Sequence, residues 1–283
     1  MTIAPKPMEE MNVDELVAAM SDPHWRIRNL YWITDKDGNA IKFKPWPEQE
    51  KFLANIWYRN VVPKARQRGF STAIQITALD GCIFNDDYAA AVIAQDDTTA
   101  TTIFEKKIKF AWDRMPDIVR EMRPTKFNNK HELAWKHGSS FLVATSTRGT
   151  TLQFLHVSEY GQICAKDPHH ANEIQEGSFP AVDQGIIVVE STLESPFGIF
   201  SDMVRRAQGI QQSGRKLTRK DYRLHFASWW DADEYEIDPE GVPISPQDNA
   251  YFWRLEGVIG REISARKRAW YVITRETDFG GNQ

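Results

Sequence analysis

Lys64-Ala65-Arg66-Gln67-Arg68-Gly69-Phe70-Ser71-Thr72 lies between a short apolar run and a long helical pattern. Set against the phosphate-cradling motif G-x-x-x-x-G-K-[ST], Gly69, Ser71 and Thr72 fall in register, while Lys64 takes the first-glycine position and Phe70 the lysine position. Gly69 permits a turn that aims successive N–H groups inward, and a helix starting near Phe70 adds the positive end of its dipole. Ser71 would then be a magnesium ligand. The loop also needs a cation on the β- and γ-phosphates, and a side chain as long as that of Lys64 can reach back from its start. Arg66 and Arg68 add positive charge, and Ala65 and Gln67 complete the candidate ATP-binding loop. A basic strand-to-helix turn with no nucleotide is the competing reading.

The chain has 283 residues, enough for one large α/β domain or two small ones. Its net charge of -4 argues against a constitutive nucleic-acid coat and leaves only local basic patches for such contacts. Ten tryptophans suit core filling for the most part, with a stacking surface as the alternative. Cys82 and Cys164 form neither a disulfide framework nor a zinc spacing, which points to a reducing compartment. The start lacks the apolar core of a signal peptide and no run is long enough to span a bilayer, so a cytoplasmic protein with no membrane partner is expected.

Along the chain, residues 12–20 read as a capped helix, and 30–34 with 40–44 as strands of a hairpin turning at Asp37-Gly38. Pro47 opens a helix over 48–58. Strands and helices then alternate: strand 60–64, the loop, helix 71–84, strand 89–94, and helix 97–114 with Ile103, Phe104, Ile108 and Ala111 in its stripe. Residues 131–135 and 139–144 form a hairpin or edge pair, 152–157 and 185–189 are buried strands, 195–208 is a helix with Pro196 in its first turn, and 222–228 is a final strand. Such alternation implies right-handed crossovers and a mainly parallel central sheet flanked by helices. The expected division is an N-terminal helix and hairpin extension over 1–45, a P-loop core over 46–230, and a linker with a small helical region over 231–283. Within that last region helices are expected over 249–257 and 264–271.

A phosphate loop needs a second strand that ends in an acid. In the additional-strand, catalytic-glutamate class of P-loop NTPases that strand ends in Asp-Glu. Here Leu152-Gln153-Phe154-Leu155-His156-Val157 runs into Ser158-Glu159. Glu159 suits the residue that polarises water, and the Ser158 hydroxyl can bond a metal-bound water. A strand followed by a polar turn is the alternative. The next apolar strand runs into Glu190-Ser191-Thr192, placing small hydrogen-bonding groups at the carboxyl edge where ligands bind and where a γ-phosphate can be sensed. Upstream, the Gln49 amide in Trp46-Pro47-Glu48-Gln49 can pair with an adenine edge, or it is simply an exposed helix residue. Arg148-Gly149 can place a guanidinium near a γ-phosphate or in a neighbouring subunit's site, with structural ion pairing as its competing role.

The co-linear order of Gln49, the Lys64 loop, Arg148-Gly149, Ser158-Glu159 and Glu190-Ser191-Thr192 resembles the large subunit of tailed-phage terminases, the viral DNA-packaging motors. The resemblance spans roughly residues 30–273. Arg-Gln before the loop glycine is usual in that family, and some members carry the phosphate lysine at the loop's start. It implies that Arg66 is an arginine finger within the same subunit and that Glu190-Ser191-Thr192 couples hydrolysis to movement. It implies an ATPase using ATP and Mg2+ that translocates double-stranded DNA. Its partners would be a portal protein, a small terminase subunit and further copies in a ring, in the host cytoplasm and transiently docked on a procapsid. Two departures stand out: Phe70 replaces the lysine and Ser158 the aspartate, and both imply slow hydrolysis by the isolated protein. The family's nuclease lies beyond the matched region, and Asp231, Asp233, Glu234, Glu236 and Asp238 read as a solvated linker rather than a cleavage site.

DNA contact falls to local clusters, foremost Arg205, Arg206, Arg215, Lys216, Arg219 and Lys220, which can hold phosphates without reading sequence or form a solvated helix face. A helicase-like remodelling ATPase and a catalytically weak nucleotide-binding assembly protein are the rival functions.

Overall fold

A computed structural model of the chain describes residues 10–147, 149–193 and 195–278. The chain divides into two units, Met1–Lys64 with Gly69–Phe226, and Ala65–Arg68 with Ala227–Gln283.

The first unit opens with α1 (Val13–Ser21), whose N-terminus is closed by a reciprocal pair: Asn12 accepts from the Glu15 N–H and Glu15 from the Asn12 N–H. A second short helix, α2 (Pro23–Asn29), follows directly, with Pro23 preset for the first turn. Strands β1 (Trp32–Thr34) and β2 (Ala40–Lys42) then pair antiparallel. Helix α3 (Pro47–Leu53) is shorter than the expected 48–58. The Asn60 side chain explains why, because it accepts from the Trp57 N–H and donates to the Trp57 carbonyl, and so takes the backbone groups that a longer helix would use.

The alternation then runs β3 (Arg59–Pro63), α4 (Phe70–Phe84), β4 (Ala89–Ile93), and α5 (Asp97–Ile103), which leads through a π-helical segment (Phe104–Lys109) into α6 (Phe110–Asp113). Next come α7 (Asp117–Met122) and strands β5 (Thr125–Asn128), β6 (Glu132–Trp135), β7 (Ser140–Ala144) and β8 (Phe154–Ser158). Helices α8 (Tyr160–Lys166) and α9 (Pro168–Glu173) and a second π segment (Ile174–Ser178) lead to β9 (Ile186–Ser191), α10 (Ile199–Ser213) and β10 (Arg223–Leu224).

Helix α10 begins three residues after Pro196, which differs from the expected start at 195. The chain first passes through Gly198 at φ 102, a backbone conformation only glycine takes without strain. The expected strand over 222–228 is reduced to two residues at the sheet edge, where only one side offers a partner.

The main sheet has eight strands in the order β10-β3-β9-β8-β4-β7-β6-β5. Neighbours from β10 to β7 pair parallel, and β6 and β5 extend the sheet antiparallel. Strands β3 and β8 are buried at every position, as strands covered on both faces require. Val61, Leu155, Val157, Ile187 and Val189 form the centre of the core, with Tyr160 and Phe200 packed on it from α8 and α10. Helix α4 is tied to the N-terminal extension by a buried cluster. The Arg26 guanidinium donates to Asp80 at 3.0 and 2.6 Å, and the Tyr31 hydroxyl donates to the same carboxylate at 2.9 Å.

The second unit contains α11 (Pro246–Ile259) and α12 (Ala265–Asp278) over a small aromatic core. Tyr235 stacks on Trp270 at 4.0 Å, Trp229 stacks on Tyr271 at 4.8 Å, and Phe252 is fully buried. The acidic stretch is therefore packed in part: Ala232 and Tyr235 are buried, and Asp231, Glu234 and Glu236 are paired with Arg261, Arg68 and Arg266.

Candidate functional site

Parallel strands end together, and the carboxyl ends of β3, β9 and β8 are adjacent. Val62 of β3 and Ser158 of β8 both stand opposite Glu190 of β9. Side chains at one register level, or two residues apart on a strand, share a face. His156, Ser158 and Glu190 therefore meet, and Lys64, two residues beyond Val62, joins them.

The Lys64 backbone N–H donates to the Ser191 carbonyl at 3.0 Å, which continues the β3–β9 ladder into the loop. Its side chain is only 6% exposed and turns back over the strand ends. There Nζ donates to Glu159 Oε1 at 2.8 Å and lies 3.1 Å from Glu190 Oε2. Glu190 Oε1 accepts from Ser71 Oγ at 2.7 Å and from Ser158 Oγ at 3.1 Å, and His156 Nε2 lies 3.3 Å away, which fixes the proton on that nitrogen. Glu159 Oε2 in turn accepts from Ser191 Oγ at 3.3 Å.

Glu159 sits at the turn from β8 into α8 with φ 51 and ψ 43, a left-handed conformation unusual for a side-chain-bearing residue. Gly161 lets the start of α8 lie close against the end of β9: a Cβ there would lie 2.7 Å from the Thr192 carbonyl oxygen and 2.8 Å from Ser191 Oγ. Gly69, at φ +63, supplies the corresponding turn before α4, and a Cβ there would lie 2.6 Å from Gln49 Nε2.

Charge decides the behaviour of this cluster. Burial alone would raise the Glu190 carboxyl, but the Lys64 ammonium, with hydrogen bonds from His156 and Ser71, holds it well below the usual carboxylate range. Burial also works against the Lys64 ammonium, and Glu190 and Glu159 together more than offset it, so its pKa is raised. Lys64 and Glu190 are thus an ionised, mutually neutralising pair, with Glu159 a second acid on the same ammonium. Among the described residues no group of three or more His, Cys, Asp or Glu side chains could hold a metal ion by itself; a divalent cation that arrives with phosphate oxygens needs fewer protein ligands, and the Ser71 and Ser158 hydroxyls with the Glu190 carboxylate at the N-terminus of α4 suit that smaller set.

The remaining sequence candidates fall in several places. Phe70 is buried, edge-on to Phe52 at 5.8 Å, and so fills core where a phosphate lysine would otherwise project. Gln49 is buried, its Oε1 accepting from the Trp46 N–H at 3.0 Å and its amide nitrogen facing Gly69. Thr72 and Thr192 are half-buried beside the cluster's own residues Ser71 and Ser191. Ala65, Arg66, Gln67 and Arg68 belong to the second unit, where Arg68 is buried and donates to Glu234 at 2.7 Å, and the Arg66 carbonyl accepts from the Tyr235 hydroxyl. The Arg66 side chain is exposed. Arg148 lies outside the described residues.

Among the basic candidates, Arg215 binds Asp221 through two hydrogen bonds of 3.0 and 2.9 Å, and Arg219 donates to Gln184 at 2.7 Å. Arg205 is paired with Asp202, and Lys220 lies 3.9 Å from Asp183. Arg206 and Lys216 are exposed on and just beyond α10.

Sequence reasoning missed Lys107. It lies in the π-helical segment, and with Thr72, Gln75 and Ile76 it lines a cavity of about 140 Å³. Burial pushes its ammonium below the ordinary value, with Glu190 opposing and Lys64 adding to the shift. The signal was present: position 107 continues the apolar stripe of 103, 104, 108 and 111, where a lysine is out of place.

No family model matches this sequence, and no curated protein matches it. Among solved structures, similarity extends to the large terminase of bacteriophage HK97, with 14% identity, a TM-score of 0.57, and coverage of 93% of this chain and 52% of that one. The large terminase ATPase domain of Thermus phage P74-26 matches at 16% identity and a TM-score of 0.48, over 79% of this chain and 94% of that one. The similarity to the HK97 protein shows a shared fold, an α/β architecture with a mostly parallel sheet. This chain spans about half the length of the HK97 terminase. Among the described residues no helix is long and apolar enough to cross a membrane.

Proposed function

We propose that this chain is the ATP-hydrolysing motor portion of a phage large terminase, moving double-stranded DNA through a portal into a procapsid as one member of a ring. The observation that carries the proposal is the placement of Lys64. A lysine at the start of the loop turns back to stand beside Ser71, Glu159 and Glu190. That supports its standing in for the cation displaced by Phe70.

Phosphoryl transfer is mostly positioning and charge neutralisation. The N–H groups at Gly69–Ser71 and the α4 dipole would bind phosphate oxygens, and the Lys64 ammonium would leave Glu159 for them. Glu159, released from that ion pair and still held by Ser191 Oγ, would accept a hydrogen bond from the attacking water and orient it. Arg66, exposed in the loop, would offset charge that develops on the transferred group. Magnesium, when bound, neutralises phosphate charge, and Ser71 with the oxygen donors around it would hold it. Exposed Arg206 and Lys216 would remain for DNA phosphates, because Arg205, Arg215, Arg219 and Lys220 already have partners within the chain. Portal and small-subunit contacts follow from the same assignment.

The test is magnesium-dependent phosphate release by the wild type and Glu159→Gln, with and without DNA. The variant is expected to bind ATP and to lose turnover by about 10²–10⁴-fold. Turnover at the wild-type level would remove Glu159 from its role. A second function, a nucleotide-binding assembly protein with little hydrolysis, is favoured by the burial of Phe70 and by the engagement of Lys64 with both carboxylates. Phosphate release absent under every condition, with ATP still bound, would select it.

A further inference from the structure

The metal side of a phosphate-loop site uses a carboxylate that fixes the loop's Ser or Thr hydroxyl and the cation beside it, ordinarily the aspartate before the catalytic acid. In this chain that position is Ser158, which carries no charge. A hydroxyl alone is a weak substitute, because a hard divalent ion draws most of its affinity from charged oxygen ligands or from waters polarised by them.

The missing charge is present one strand away. Glu190 stands opposite Ser158 in the β8–β9 register, and its side chain is completely buried. One of its oxygens accepts from the Ser71 hydroxyl at 2.7 Å and from the Ser158 hydroxyl at 3.1 Å. The group that touches the loop's metal-ligating serine is thus the acid of Glu190-Ser191-Thr192. Serine at 158 leaves room for the longer glutamate to cross from β9, and its hydroxyl then braces that carboxylate. His156, two residues earlier on β8, fixes it from behind at 3.3 Å.

We propose that Glu190, braced by Ser158 and His156, is the metal-side carboxylate of the nucleotide site, a task moved from the end of β8 to the end of β9. The proposal rests on the ATPase assignment above and deepens it. It gives Glu190 a role in holding the cation, distinct from the coupling role that the terminase resemblance implied. As a purely structural partner of Lys64, Glu190 would affect nucleotide and fold but not the metal. As the metal-side acid, it would affect the metal above all.

The experiment measures Mn2+ binding to the full 283-residue chain by electron paramagnetic resonance at saturating AMP-PNP, together with AMP-PNP binding in EDTA. E190Q is expected to weaken Mn2+ binding about 10–100-fold while metal-free nucleotide binding persists. S158D/E190Q, which returns one carboxylate to the cluster and keeps its net charge, is expected to recover Mn2+ affinity. Unchanged Mn2+ affinity in E190Q overturns the assignment and leaves the ATPase proposal standing. Should E190Q fail to fold, E190D decides, since it keeps the charge and withdraws the carboxylate by one methylene: weakened Mn2+ binding with metal-free AMP-PNP binding retained supports the assignment, and unchanged Mn2+ affinity overturns it. Failure of the wild type to bind AMP-PNP with or without metal overturns both.

Discussion

Lys64 and Glu190 are each buried in a place that would be costly for either alone. Taking a carboxylate fully out of water is offset here only because the ammonium lies 3.1 Å away and two hydroxyls point at the other oxygen. Lys64→Ala should therefore do more than weaken the phosphate binding proposed for it: it strands a buried charge. The expected loss in urea denaturation is about 3–5 kcal/mol. Lys64→Ala/Glu190→Gln should recover a substantial part of it, and strictly additive losses would show that the two groups are not coupled. The position of Lys64 was legible in the sequence, since loop spacing alone places it opposite the usual lysine. The bond from Ser71 to Glu190 was not, because 119 residues separate them and strand order alone makes them neighbours. Lys107 escaped notice for a related reason. Its charge interrupts an apolar stripe, but which group it faces is decided by the packing of the π segment.

Helix α4 is fixed at the element level by the α2 segment before the hairpin. Arg26 is buried against Asp80 of α4 through bonds of 3.0, 3.2 and 2.6 Å, and Tyr31 completes the carboxylate's shell. Arg26→Ala leaves Asp80 buried without its cation and is expected to cost about 3–5 kcal/mol in chemical denaturation. A loss under about 1 kcal/mol, the scale of a surface pair, would mean that α2 does not anchor α4. Elements with both faces buried were easy to read, because β4 and β9 open on continuous apolar runs and β8 is interrupted only by His156 before its polar end. Short, half-polar elements such as α2, α7, β5 and α8 give no such run. The break of the 97–114 helix into a π segment was also hidden, since a wide turn alters backbone hydrogen bonding and leaves the residue pattern helical.

The molecule's stability should depend on pH through His225 at the end of β10. Burial, then Arg223 and Lys51, push this imidazole down to about 4, and its neutral form donates to Asn60 Oδ1 across 3.0 Å. In the unfolded chain the group titrates near 6.5, so between those values the unfolded state holds the extra proton. Its contribution is complete above about pH 6.5 and declines as pH falls toward 4, by up to about 3 kcal/mol. Denaturation midpoints at pH 7 and 5 should differ for this reason, and His225→Gln should flatten the difference. An unchanged slope in that variant would assign the effect elsewhere. At this scale the fold class was legible from the alternation of strands and helices, and the order of the motifs already resembled the large terminases, one of which shares the fold at 14% identity. The backbone at Glu159 has one more consequence for the whole protein. An acid there stands on a corner that glycine would occupy with less discomfort, by about 1–2 kcal/mol. Glu159→Gly should therefore melt higher than Glu159→Ala. Any search for heat-hardened versions of this chain will be drawn toward that glycine, a gain that on the ATPase assignment proposed above costs turnover.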